Sequence, residues 1–189
     1  MKRTPFFLFA LLLAFAGAAR TQSLPGDSVY HLQASTQDAN GHPVAWSSLR
    51  GQPRVVSMFY ANCHLMCPLI LENAKSVQKQ LSPAERRRLG MVMVSLDPAR
   101  DTPAAMREVA QRHRVPNGWR FLTPADNDVR AIASVLDVRY RFRDDGSINH
   151  TSVLVLLDAE GRVRARSDVN GAAADPAFLI QVKALLAGP

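Results

Sequence analysis

The chain's two cysteines stand in one short stretch, Met58 to Ile70, which reads MFYANCHLMCPLI. Cys63 and Cys67, with His64, Leu65 and Met66 between them, admit three kinds of chemistry. A disulfide joining them would close a very small loop, and stabilisation by loop closure grows with loop length, so a structural role would add little. Redox catalysis is the second: a cysteine just ahead of a helix sees the positive end of the helix dipole, which favours the thiolate. Thioredoxin-type catalysts, however, place two residues between their cysteines. Metal binding is the third, since two thiolates and an imidazole suit copper in either oxidation state, or zinc.

The metal reading needs a third donor, and the candidates are His31, His42, His64, His113 and His150. A residue adjacent to a ligand usually points away from it, which counts against His64. His113 falls in the charged end of a helical segment, and His150 comes just before an apolar run, on a loop approaching the sheet. Periodicity alone does not choose between these two. Met66 could offer Cu(I) a soft thioether contact, although a methionine at a helix start more often packs.

The elements that must position these groups alternate in type. PRVVSMFY (Pro53 to Tyr60) and GMVMVSL (Gly90 to Leu96) are compact apolar runs that read as buried strands. Between them Leu69 to Leu81 has helical periodicity, and Arg86 to Arg88 reads as a solvated helix end. Thr102 followed by Pro103 is a helix start, an N-cap and then proline at the first helical position. Asp97 and Asp101 could orient the metal loop or meet a partner, but an acid and a cap at a helix start favour a structural role for Asp101. Trp119 to Leu122 reads as a short strand, with Trp119 and Phe121 in the core, and Asp126 to Leu136 as a helix. Thr151 to Ser167 forms a hairpin turning at Glu160-Gly161, and a helix closes the chain from Pro176 to Leu186. Upstream, Val29 to Gly51 adds a hairpin with its turn at Asn40-Gly41. This order predicts an α/β, thioredoxin-like fold, a central mixed sheet flanked by helices with an added N-terminal hairpin. In open α/β sheets ligands meet the carboxyl ends of the strands, where Cys63 and Cys67 fall.

The quoted segments carry a resemblance. FYANCHLMCP, SLDPARDTP and NHTSVLVLLDAEGRV, in this order and at these separations, resemble the Sco/SenC family of thioredoxin-like copper proteins, which assist assembly of the dinuclear copper centre of cytochrome c oxidase. The similarity runs from about Tyr30 to Leu186. Cys63, Cys67 and Pro68 match the family's Cys-x-x-x-Cys-Pro; Asp97, Pro98, Asp101, Thr102 and Pro103 match its Asp-Pro-x-x-Asp-Thr-Pro. The resemblance implies that Cys63, Cys67 and His150 are the metal ligands and copper the cargo. It also implies a copper-acceptor partner, such as an oxidase subunit or another periplasmic copper chaperone. The alternative it carries is a thiol-disulfide reductase in which Cys63 and Cys67 are catalytic and keep an acceptor's cysteines reduced. Where the family commonly has proline and then an acid after the first cysteine, this chain has His64 and Leu65, a less rigid and less anionic loop.

The flanking sequence bounds compartment and partners. Lys2 and Arg3, an apolar run from Phe6 to Ala16 and the small residues Ala16, Gly17 and Ala18 have the order of a signal peptide over residues 1–18. Residues 19–28 read as a flexible N-terminus and 29–189 as one copper-binding domain, exported to the periplasm. The membrane enters only through a partner or an uncleaved N-terminus. Removing Lys2 and Arg3 lowers the formal charge from +7 to +5. The remaining cations are scattered, with one run at Arg86, Arg87 and Arg88 that has no interleaved aromatics and another pattern at Arg139, Arg141 and Arg143, which favours an acidic partner surface weakly and nucleic acid poorly.

Overall fold

The computed structural model describes residues 23–63 and 66–188. The expected signal peptide at 1–18, the first part of the expected flexible N-terminus, and His64 and Leu65 lie outside the described residues.

Three parallel strands form the centre: β3 (Arg54–Phe59), β4 (Gly90–Ser95) and β5 (Arg120–Pro124). Two antiparallel pairs extend this centre on either side. On the β5 side lie β1 (Ser35–Asp38) and β2 (Pro43–Ala45), and on the β3 side β8 (Val153–Leu157) and β9 (Val163–Asp168). The sheet order is β2-β1-β5-β4-β3-β8-β9, a mixed sheet with the expected N-terminal hairpin at one edge. All of β3 and β8 is buried: β8 is wholly apolar, and β3 is apolar apart from Arg54 at its start and Ser57, whose hydroxyl donates to the Val153 carbonyl. At the other edge β9 alternates exposed arginines with inward residues, so one of its faces meets water.

Helices flank this sheet: α1 (Met66–Lys79), α2 (Pro83–Arg88), α3 (Pro103–Arg112), α4 (Asp126–Val135) and α5 (Pro176–Ala187). α1 packs on β3 and β8, α4 on β5 and α5 on β9. Two expectations are corrected here. The helix expected from Leu69 begins three residues earlier, at Met66, and so takes in Cys67 and Pro68. Proline is tolerated there because an N–H in the first helical turn has no intrahelical acceptor to lose. The strand expected over Trp119 to Leu122 runs instead from Arg120 to Pro124, where its pairing with β1 reaches Pro124.

The arginine run Arg86 to Arg88 is the last turn of α2, a separate helix. Its start is a reciprocal cap: the Ser82 hydroxyl accepts from the Glu85 N–H while the Glu85 carboxylate accepts from the Ser82 N–H. Gly161 closes the β8–β9 turn at φ +87°, and a Cβ there would come within 2.5 Å of the Tyr30 ring, so the turn requires glycine twice over.

A second, two-stranded sheet lies outside the main one. β6 (Tyr140–Phe142) and β7 (Ile148–His150) pair antiparallel, with Tyr140 opposite His150 and Phe142 opposite Ile148. His150, expected on a loop, therefore closes a strand of a hairpin, and the main sheet resumes at Val153.

Candidate metal centre

The site is assembled from three segments. β3 delivers the chain to Tyr60, and a turn in which the Cys63 N–H donates to the Tyr60 carbonyl (3.3 Å) places Cys63 at the carboxyl end of the parallel strands. Cys67 sits in the first turn of α1, 3% exposed, and its backbone N–H donates to Cys63 Sγ at 3.3 Å. The β6–β7 hairpin brings His150 Nε2 to 3.8 Å from Cys67 Sγ. One donor atom each from Cys63, Cys67 and His150 lies within 4.8 Å of the others, the one such group of three among the described residues. Donors sharing an ion at 2.0–2.3 Å stand roughly 3.5–4 Å apart, so only a small closure separates this arrangement from a coordinated one.

Both cysteines carry reduced thiols. Burial pushes the Cys67 thiol well above its ordinary pKa, and its hydrogen bond with Cys63 adds to the effect. That reverses, for Cys67, the expectation that a helix start lowers a thiol's pKa, because loss of hydration outweighs a partial dipole charge. A soft cation between the sulfurs supplies what the buried thiolate lacks. The His150 ring is oriented from behind: Nδ1 faces the Thr151 carbonyl at 3.1 Å. A carbonyl can only accept, so Nδ1 is placed to donate and Nε2 is the nitrogen turned toward the sulfurs.

The other described histidines, His31, His42 and His113, lie elsewhere. His31 Nε2 lies 2.8 Å from the Pro25 carbonyl, His42 pairs with Asp38, and His113 ends α3, its pKa lowered chiefly by burial. Met66 lines the small cavity beside Cys63 and His150, of about 220 Å³, within reach of whatever occupies the site.

The acidic motif proves to bind the two halves of the site together. Thr102 is the N-cap of α3, as expected, accepting from the Ala105 N–H. The Asp101 carboxylate does something else: it accepts from the Ala61 N–H at 3.0 Å and from the Ser95 hydroxyl at 2.5 Å, fixing the turn that leads to Cys63. The structural reading of Asp101 as a helix-start acid is thus corrected to a role in orienting the cysteine loop. Burial raises its pKa to about 6 despite these two bonds. Asp97 pairs with Arg100, whose guanidinium also donates to the Gly146 carbonyl (2.8 Å) at the tip of the hairpin that ends in His150.

Tyr60 makes a second link: its hydroxyl accepts from the Ile148 N–H at 3.3 Å, and its ring meets the His150 ring edge-on at 6.0 Å. Burial raises the Tyr60 pKa and keeps the phenol protonated. Sequence reasoning took Tyr60 only as the end of a strand and gave Arg100 no role. Their signal was position, three residues before Cys63 and inside the seven-residue acidic motif.

The family described as SCO1/SenC matches residues 29–183. A Stutzerimonas stutzeri protein named for copper binding is 25% identical over 136 residues, 70% of this chain and 66% of that protein. The SCO1 protein homolog of Bacillus subtilis is 25% identical over 166 residues, 85% of this chain and 84% of that one. Among solved structures, a SCO1/SenC family lipoprotein from Bacillus anthracis superposes with a TM-score of 0.70 at 22% identity, over 82% of this chain and 94% of that one. Yeast Sco1 with copper bound does so with a TM-score of 0.68 at 19% identity, over 80% of this chain and 84% of that one. The shared architecture is the thioredoxin-like α/β fold.

Proposed function

The chain belongs to the SCO1/SenC family, and from that premise we propose that it is an exported metallochaperone whose Cys63, Cys67 and His150 hold one copper ion and pass it to an oxidase-type copper centre. The observation that carries the reading is the convergence of two sulfurs and one imidazole nitrogen within 4.8 Å. Copper-bound relatives of the same fold support the choice of metal. Cu(I) is satisfied by the two thiolates, whereas Cu(II) prefers a more tetragonal set and calls on His150. A donor on a hairpin of its own can leave as an acceptor's ligand enters, which is what transfer requires. The basic, apolar leader at residues 1–18 supports export to the periplasm.

One further observation favours a second activity at the same residues. Cys63 is half-buried while Cys67 is buried, the order expected of an attacking and a resolving thiol. In that reading the Cys63 thiolate attacks a partner disulfide, forms a mixed disulfide and releases one partner thiolate. Cys67 then attacks Cys63 Sγ and releases the second, so two electrons pass to the partner and a Cys63–Cys67 disulfide remains.

A single experiment separates the two. The reduced chain, either copper-free or loaded with one equivalent of Cu(I), is mixed with the copper-free soluble domain of a dinuclear-copper oxidase subunit, once with the acceptor's cysteines reduced and once oxidised. Delivery predicts copper appearing in the reduced acceptor. Conversion of the oxidised acceptor to thiols by the copper-free chain, with no copper transfer, would replace delivery by reduction.

A further inference from the structure

The pole opposite the cysteines carries a feature that copper handling does not use. The parallel strands begin there, at Arg54, Gly90 and Arg120, and between these residues, the end of α1 and α2 lies an open cavity of about 760 Å³. The length of β3, six residues at about 3.3 Å each, sets it roughly 20 Å from the cysteine loop. Its charged lining consists of Arg54, Lys75, Lys79, Arg86, Arg87 and Arg120, with no aspartate or glutamate among the lining residues. Lys75 is paired with Glu72 at 2.7 Å. Among the described residues, none of the other five forms an ion pair with a carboxylate.

Arg54 is the telling member. It is 6% exposed, and its Nε donates to the Leu49 carbonyl. Its guanidinium lies across the first residue of β4, where a Cβ on Gly90 would come within 2.5 Å of Nη1, so glycine is what makes room for it. The neighbouring Tyr30 supplies no negative charge, since burial holds its phenol protonated up to a pKa of about 12. Burial disfavours the charged form of Arg54; the Tyr30 hydroxyl beside it offsets part of this, and the positive charge of Arg120 adds to it. A buried cation facing other cations is costly unless an anion completes the set. Guanidinium groups match the oxygens of phosphate in pairs, and ammonium groups add point charges. Leu89, Met91 and Pro116 give the same cavity an apolar wall for the organic part of such a ligand.

We propose that this cavity is an anion site for a phosphate group, with Arg54 and Arg120 as the central contacts and Lys79, Arg86 and Arg87 around the rim. The phosphate can belong to a soluble ester or to a phospholipid headgroup, two sources that share this chemistry.

The test uses the full chain without copper, so failure of the copper reading leaves it intact. Pyrophosphate binding is followed by calorimetry at fixed ionic strength. In parallel, co-sedimentation is measured with vesicles of phosphatidylcholine, alone or mixed with phosphatidylglycerol. The proposal expects saturable binding of one pyrophosphate per chain, weakened at least tenfold by Arg120→Gln and by Arg54→Gln. The control Arg141→Gln removes the same single charge at β6 and leaves binding unchanged. Should Arg54→Gln fail to fold by circular dichroism, Arg120→Gln, at an exposed position, carries the test alone. Vesicle binding that needs phosphatidylglycerol, shows the same sensitivity and is displaced by pyrophosphate assigns the headgroup; pyrophosphate binding without vesicle binding assigns a soluble ester. Absence of binding to either probe, or equal weakening by Arg141→Gln and Arg120→Gln, overturns the proposal, because net charge alone would then account for any affinity.

Discussion

The two sides of the candidate metal centre are built differently. Cys63 and Cys67 are held by the core: one follows a strand buried along its whole length, the other opens a helix packed on that strand, and Asp101 fixes the turn before them. His150 belongs to a two-stranded sheet apart from the main one, joined to the cysteine side through Tyr60–Ile148 and Arg100–Gly146. A fixed pair of thiols with a latched imidazole has a division of labour built in. On the proposed copper reading, the thiols set whether a soft ion binds at all, and the hairpin sets how completely it is enclosed.

The largest effect should come from the fixed side. Cys67→Ala removes a buried donor and is expected to lower Cu(I) affinity by more than about 100-fold, beyond what loss of an orienting group costs. Competition against a Cu(I) chelator measures it, and an affinity within tenfold of wild type would dissolve the contrast between the two sides.

The next concerns Asp101, which anchors that side at the expense of a buried acid. Its folded pKa of about 6 lies above the ordinary 3.8, so the native state holds the proton more tightly than the unfolded chain. The associated stability is fully present below about pH 3.8 and is lost as pH rises through about 6. A shift of this size corresponds to about 2–3 kcal/mol. Denaturant unfolding of the copper-free protein should show this loss in wild type, whereas Asp101→Asn, which keeps an oxygen for the Ala61 N–H, should flatten the profile in that window. An unchanged profile in the variant would mean that another group titrates there.

Smaller effects are expected on the latched side. Arg100→Gln frees the hairpin tip and should weaken Cu(II) binding about tenfold while leaving Cu(I) binding alone, the size of effect usual for groups that orient a ligand. Tyr60→Phe removes one hydrogen bond, worth about 1 kcal/mol net, and should weaken Cu(II) binding by about fivefold. Equal losses for both ions in either variant would show that the hairpin and the thiols act as one rigid unit.

What the sequence made legible follows from the same contrast. β3, β4 and β8 are mostly apolar runs, and the turns at Gly41 and Gly161 carry glycine at positive φ, so the core and the cysteine loop could be read from local pattern. The caps at Ser82 and Thr102 are equally local. The β6–β7 hairpin was not legible, because two three-residue strands, Tyr-Arg-Phe and Ile-Asn-His, that pair only with each other leave no periodicity to detect. For the same reason spacing could not choose His150 over His113. That choice needed family resemblance, and its geometry needed the fold. Asp101 misled because its place beside an N-cap has a sufficient local explanation, while its partners are set by the sheet: Ser95 ends β4, and Ala61, 40 residues away in sequence, follows the neighbouring strand β3. The basic cavity leaves no local pattern in the sequence, because its cations come from four separate segments and are gathered only at the strand origins.

The account rests on His150 as the third donor, and one paired titration tests it most directly. Reduced wild type and His150→Ala are titrated anaerobically with Cu(I) and with Cu(II), recording stoichiometry and the thiolate-to-Cu(II) charge-transfer band. One copper per chain in either state for wild type, with the band and tight Cu(II) binding lost in the variant while Cu(I) binding stays, is the predicted result. Undiminished Cu(II) binding with an unchanged band in His150→Ala would contradict it.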